Sequence, residues 1–225
     1  MNEKAEKRLE ILIAVFLGIT ALLTAWATWI GSLHGGNQAT NYTKSNNIAA
    51  EGNSTYNEAS QQLMQDMMTW NTIMEYQFDA ELAEEKGDKD EADLILNKID
   101  VLISDNCSEE FYEAIQWAEK QKDASPFDKE GYIDSYYEEA NGLLAESQEL
   151  LEQGQKDNRC GDRYGLVTVI FSLVLFLLGI VGIFKRLPNR VVVFAFSIVL
   201  LIGATIFMVT IPMPTGFSFT GYFVS

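Results

Sequence analysis

The stretch YGLVTVIFSLVLFLLGIVGIF (Tyr164–Phe184), then KRLPNR (Lys185–Arg190), then VVVFAFSIVLLIGATIFMVTI (Val191–Ile211), decides the fold. Neither apolar run contains Asp, Glu, Lys, Arg or His. At 1.5 Å per residue, a helix of about 20 residues crosses the roughly 30 Å of bilayer hydrocarbon. Lipid offers the backbone no hydrogen-bond partners, so such a run must be helical. The six-residue turn between the runs is too short for anything but a span hairpin. Working outward, ILIAVFLGITALLTAWATWI (Ile11–Ile30) is a third run of the same kind. The sequence therefore predicts an all-α integral membrane protein with three transmembrane helices and an elongated helical extramembrane domain between spans one and two.

The whole-chain averages conceal this division. Over 225 residues the mean hydropathy is near zero and the formal net charge is −16. Residues 31–163 alone carry 29 acids and 10 bases, a net of −19. Phosphate would be repelled from that surface, so nucleic acid is excluded as a partner. Such a field favours cations or basic partners.

Topology follows from bases near span ends. Lys4, Lys7 and Arg8 precede span one, and Lys185, Arg186 and Arg190 occupy the turn between spans two and three. Both groups lie on one side of the membrane, which is expected to be cytoplasmic. Lys156, Arg159 and Arg163 argue the other way, but they are interleaved with Asp157 and Asp162. The organisation expected is a cytoplasmic tail (1–10), a first span (11–30), an acidic extracytoplasmic helical domain (31–163), a second span (164–184), a basic cytoplasmic turn (185–190), a third span (191–211) and an extracytoplasmic tail (212–225). Trp26 and Trp29 fall where an outer aromatic belt belongs, and Phe217, Phe219, Tyr222 and Phe223 suit the same interface. Ala25-Trp26-Ala27 fits a signal-cleavage pattern, but the apolar run before it is long for a signal, so span one is read as an uncleaved anchor. The expected location is a cell membrane, with a bacterial plasma membrane favoured.

The domain between the spans shows helical periodicity throughout and no strand alternation. Tyr56, Ala59, Leu63, Met67, Trp70, Met74, Phe78 and Leu82 recur at a mean of about 3.7 residues, one apolar stripe on a nearly straight helix rather than a heptad seam. That helix is expected from near Thr40 to Gly87, almost continuous with span one apart from Gly35-Gly36. Asp88 with Glu91 forms a capping-box pattern, and Ser108 can cap a second short helix bearing Phe111, Ala114 and Ile115. Ser125-Pro126 marks the start of a descending helix, with Ile133, Tyr136, Ala140, Leu143, Leu144, Ser147 and Leu151 inward, ending at Gly154. The stripe Tyr56, Leu63, Met67, Trp70, Met74, Phe78 and Leu82 packs either on the descending helix or on a partner.

Chemistry-bearing patterns are sparse. Cys107 and Cys160 are candidates for a disulfide in an oxidising compartment, with two unpaired thiols as the alternative. Asn41, Asn53 and Asn106 stand in glycosylation sequons, which matter only in a eukaryotic secretory pathway. The segment from Asp88 fails as a calcium loop, because Asp93 and Ile99 stand where glycine and a bidentate acid belong. His34, the sole histidine, supports no triad or metal site and is expected in a loop or at the interface. No catalytic, cofactor or metal motif is present, so a non-enzymatic protein is expected. In the spans, Thr20, Thr24 and Thr28 share one face, as do Gly165, Thr168, Ser172, Gly179 and Gly182 on span two. Such faces serve either close helix packing or, in an oligomer, a pore lining. With no charge at membrane depth, a proton-coupled carrier is disfavoured.

The layout resembles a bacterial family of three-span membrane proteins of unknown function. The resemblance rests on the first span, the Asn/Ala-rich region leading to Trp70 and Tyr76-Gln77, and Arg163 followed by span two and Lys185-Arg186. It implies no activity. Two functions are open: a membrane-anchored helical protein that mediates self-assembly or binds another helical membrane protein at the outer face, and a homo-oligomeric cation-permeable channel with an acidic outer vestibule.

Overall fold

A computed structural model describes residues 3–121, 123–184 and 189–222 of the chain. Lys185, Arg186 and Phe223 lie outside the described residues, and so does the side chain of Tyr222. Among the described residues five α-helices follow one another: α1 (Glu3–Glu85), α2 (Lys89–Asn106), α3 (Glu109–Glu119), α4 (Tyr132–Ile183) and α5 (Arg190–Thr210). Among the described residues there is no strand. Contacts divide the chain into two units, one of Met1–Ser45 with Gln148–Ser225 and one of Asn46–Ser147.

Among the described residues three helices, α1, α4 and α5, are long and apolar enough to cross a membrane, and their apolar stretches lie in the first unit. Only 17%, 28% and 22% of their apolar windows are buried within the protein. Apolar surface of that extent needs cover, which the hydrocarbon of a membrane supplies for helices of this length. Along α4 the buried face is Tyr164, Val167, Phe171, Val174, Leu178 and Val181, at 3-4-3-4-3 spacing. It packs with Ala27 and Ile30 of α1 and with Leu201, Ala204 and Met208 of α5. At the opposite end Val181 meets Leu9 and Ile13. Beyond α5, Phe217 stands edge-on to Trp26 and Trp29, with ring centroids 6.2 and 5.8 Å apart, and Phe219 joins Trp29 at 6.3 Å. The aromatic tail thus packs on the aromatic end of span one.

On α4 the face turned inward is the one with large side chains, not the small-residue face. Gly165 and Gly179 of the small-residue face look onto open space, and of that face Gly182 has a neighbour, Ile13, 3.6 Å from where a Cβ would stand.

The second unit has its own core. Leu63 and Ile73 of α1, Ile99 of α2, Phe111, Ala114 and Ile115 of α3, and Tyr132 of α4 form it. The cap chemistry read from sequence is realised: Asp88 accepts the Glu91 amide at 3.1 Å, and Ser108 accepts the Phe111 amide at 3.1 Å. Phe127, on a short 3-10 turn at Pro126–Asp128, stacks against Phe111 with centroids 6.0 Å apart.

Three expectations about helix ends and faces are corrected. Gly35, Gly36 and Gly154 interrupt nothing, since α1 and α4 run through them. The descending helix begins at Tyr132, after Gly131 at φ +79, and the Ser125-Pro126 signal starts only the 3-10 turn. The buried face of α1 also differs from the apolar stripe. Gly52, Ala59, Asp66, Ile73 and Ala80 are buried at seven-residue intervals, the heptad spacing of packed helices, while Met67, Met74 and Phe78 are exposed. The same interval links Ile13, Thr20, Ala27 and His34 within the first unit. Side-chain size misled the register: the seam is lined largely by glycine, alanine and polar residues, and the large apolar residues stand beside it.

Candidate functional site

At one end of the spans the first unit contains a buried polar junction. His34 is 2% exposed, inside α1 rather than in a loop. Its Nδ1 lies 2.7 Å from Asp157 Oδ1 on α4, and its Nε2 lies 3.1 Å from the carbonyl oxygen of Pro212, just beyond α5. Tyr164 stacks on the ring at 5.8 Å. Both hydrogen-bond partners are acceptors, so the arrangement is satisfied when both ring nitrogens donate. One imidazole therefore ties together the three helices at one end of the spans. Beside it opens a pocket of about 350 Å3, lined by His34, Lys156, Arg159, Arg163, Met213 and Thr215 among others.

At the other end of the spans Arg190 is 6% exposed. Its Nε donates to the Val181 carbonyl of α4 at 2.8 Å, and its Nη1 stands 3.7 Å from Glu6. The charge that marks the turn in sequence thus also closes the carboxy-terminal end of α4. Lys4, Lys7 and Arg8 are exposed.

The second unit holds a buried carboxyl group. Asp66, fully buried, accepts hydrogen bonds from the Tyr132 and Tyr136 hydroxyls, each at 2.7 Å, and from Gln62 Nε2 at 3.1 Å. Tyr136 also meets the Ser108 hydroxyl at 3.2 Å, linking the cap of α3 to the network. Burial pushes the Tyr132 phenol well above its ordinary range, with the hydrogen bonds to Tyr136 and Asp66 adding to it. Burial raises Tyr136 as well. Phenols held so firmly protonated serve as fixed donors, not as acid–base groups near neutrality.

Cys107 and Cys160 are both free thiols, and the bridge raised from sequence is not formed. Each is taken up by a different core: Cys107 packs in the Phe111 cluster and Cys160 in the Phe171 cluster. Burial, then the nearby Asp66 charge, raises the Cys107 thiol, the opposite of what a nucleophile requires. Among the described residues no group of His, Cys, Asp and Glu could hold a metal ion.

The threonine face of span one is tied up internally. Thr20 donates to Phe16 O, Thr24 to Thr20 O and Thr28 to Thr24 O, at 2.7, 2.7 and 2.8 Å. Thr168 and Ser172 do the same on α4, at 3.0 and 2.8 Å. Thr20 is fully buried within the unit.

An exposed apolar face remains. Met64 and Met68 of α1 are 62% and 66% exposed and line a groove of about 380 Å3. That groove shares Leu102 and Asn106 with a second, of about 470 Å3, whose walls include Leu94 and Val101 of α2. Together they make one surface across α1 and α2 in which these apolar side chains alternate with polar ones such as Gln61, Gln65, Asn97 and Lys98. Of the sequence-derived stripe, Leu63 is in the core, Trp70 and Leu82 are half-buried, and Tyr56, Met67, Met74 and Phe78 are exposed. Sequence reasoning missed the His34 junction, Asp66 and the Met64–Met68 face. Comparisons with protein families, curated proteins and solved structures return no match, so chemistry here rests on the residues themselves.

Proposed function

We propose that the chain is a non-enzymatic, membrane-anchored helical protein whose acidic unit between spans one and two mediates self-assembly or binds another helical membrane protein. The observation that carries this reading is the surface carrying Met64, Met68, Leu94, Val101 and Leu102, on a unit that already has a separate closed core. Methionine-rich surfaces adapt to partner helices because the unbranched side chain repacks at low cost. The one histidine is engaged by Asp157 and Pro212, and the Cys107 thiol is raised.

In this account the amino terminus and the 185–190 turn are cytoplasmic, and the unit between the spans and the aromatic tail are extracytoplasmic, in a plasma membrane of bacterial type. Lys4, Lys7, Arg8 and Arg190 support that orientation. The alternative, a cation-permeable homo-oligomer lined by Thr20, Thr24 and Thr28, gains no support from hydroxyls already bonded to their own helix.

The test is the mass of the full chain in native-like lipid discs, alone and with membrane extract, for the native protein and Met64→Glu/Met68→Glu. Assemblies that fall to monomer in the double variant support the reading. A monomer under every condition would overturn it. Cation flux in liposomes that changes with Thr24→Phe would favour the channel instead.

A further inference from the structure

Three bases stand together where the chain is otherwise acidic. Lys156, Arg159 and Arg163 are exposed and line the pocket beside His34. None of them pairs with a described carboxylate within 4.0 Å. The acid lining that pocket, Asp157, is matched by His34 at 2.7 Å, and Asp162 receives the Asn158 amide at 3.5 Å. The pocket is therefore electropositive, although residues 31–163 carry a net of −19. Its position adds a second constraint. Pro212, Met213 and Thr215 form its other wall, directly after α5 ends at Thr210, and the apolar run of α4 begins at Tyr164, next to Arg163. The walls thus pass from charged to apolar across the few residues where a span leaves hydrocarbon for headgroups.

We propose that this pocket binds a phosphate group, held by Arg159, Arg163 and Lys156, and that the group is supplied by an anionic lipid headgroup. Guanidinium pairs suit phosphate because their planar donors meet its oxygens two at a time. Met213 and the apolar start of α4 offer the adjoining acyl chain a surface, which a free phosphate does not need. Such a site also gives these bases a reason to stand at a span end where charge asymmetry disfavours them.

The test uses the full chain in lipid discs of phosphatidylcholine, with and without one-fifth phosphatidylglycerol, and reads retained lipid by native mass spectrometry. Arg159→Gln/Arg163→Gln is compared with Lys44→Gln, which removes an exposed base outside the pocket. Each surface base contributes about fivefold to anionic-lipid binding, so the double variant should retain at least about tenfold less phosphatidylglycerol. Lys44→Gln should match the native chain, and helix content by circular dichroism should be unchanged in both. A parallel titration with glycerol phosphate separates the sources. Binding of the soluble ester at the same strength, abolished by the double variant, would retain the phosphate site and overturn the lipid assignment. Equal retention of both lipids by the native chain, with no response to glycerol phosphate, would overturn the proposal. Charge-conserving Arg159→Lys/Arg163→Lys should keep intermediate retention, which separates loss of charge from loss of fold.

Discussion

His34 and Asp66 show how much of this protein's polar chemistry is decided by single positions. His34, itself buried, bonds Asp157 and Pro212. Removing one member of this buried hydrogen-bonded pair leaves the other unpartnered, at a cost of about 1–3 kcal/mol. His34→Ala should therefore destabilise the first unit by that order in detergent unfolding, and His34→Ala/Asp157→Ala by clearly less than the two single changes together. Additive losses would mean that the pair does not act as a unit. Asp66 makes the equivalent junction in the second unit, and its phenol donors give that unit a pH signature. The Tyr132 and Tyr136 values are raised on folding. Their contribution is thus complete below the unfolded phenol value of about 10 and is lost as pH climbs above it. Denaturation midpoints of the full chain should hold steady from pH 7 to 9 and fall above about pH 10. In Tyr132→Phe/Tyr136→Phe the neutral midpoint should be lower and the alkaline fall smaller, and an unchanged alkaline fall would contradict the assignment. Neither junction was legible as such: Asp66 is one of 29 acids in its segment, and a lone histidine next to two glycines reads as a loop.

At the scale of elements, local chemistry was legible and register was not. Asp88 and Ser108 were readable as caps because a cap depends on a few adjacent residues. The three spans were readable because length and lack of charge suffice. Gly35, Gly36 and Gly154 were misread as interruptions, and Gly154, like Gly31, is instead a point of close approach. A Cβ on Gly31 would stand 3.2 Å from the Tyr164 Cβ, and one on Gly154 would stand 2.5 Å from two ring carbons of Tyr42. Overpacking of that kind costs about 1–3 kcal/mol. Gly154→Ala should therefore lower the thermal midpoint of the first unit, whereas Gly165→Ala, facing open space, should not. If Gly154→Ala proved neutral, the close packing of α1 on α4 at Tyr42 would be wrong. The heptad seam escaped sequence reading for the same reason: Gly52, Ala59, Asp66 and Ala80 carry no hydrophobic signal, while Met67, Met74 and Phe78 supply a strong one on an exposed face.

For the whole molecule, hydropathy and charge act on different segments. The apolar windows, little buried within the protein, call for lipid, and the charge asymmetry around them sets the expected orientation. A thiol placed by Leu187→Cys in the 185–190 turn, with Cys107 and Cys160 replaced by serine, should react with impermeant reagent only after permeabilisation. Labelling in intact cells would reverse the orientation. The exposed methionine face of the unit between the spans is assigned to a protein partner. The most direct test of that assignment is a photoreactive benzoylphenylalanine at Met68 in the full chain, in its native membrane, with the exposed Glu58 as the reference position. The account predicts a discrete adduct from Met68, to a second copy or to one defined membrane protein, that Glu58 does not give. Adducts from Met68 no stronger than those from Glu58 would contradict it.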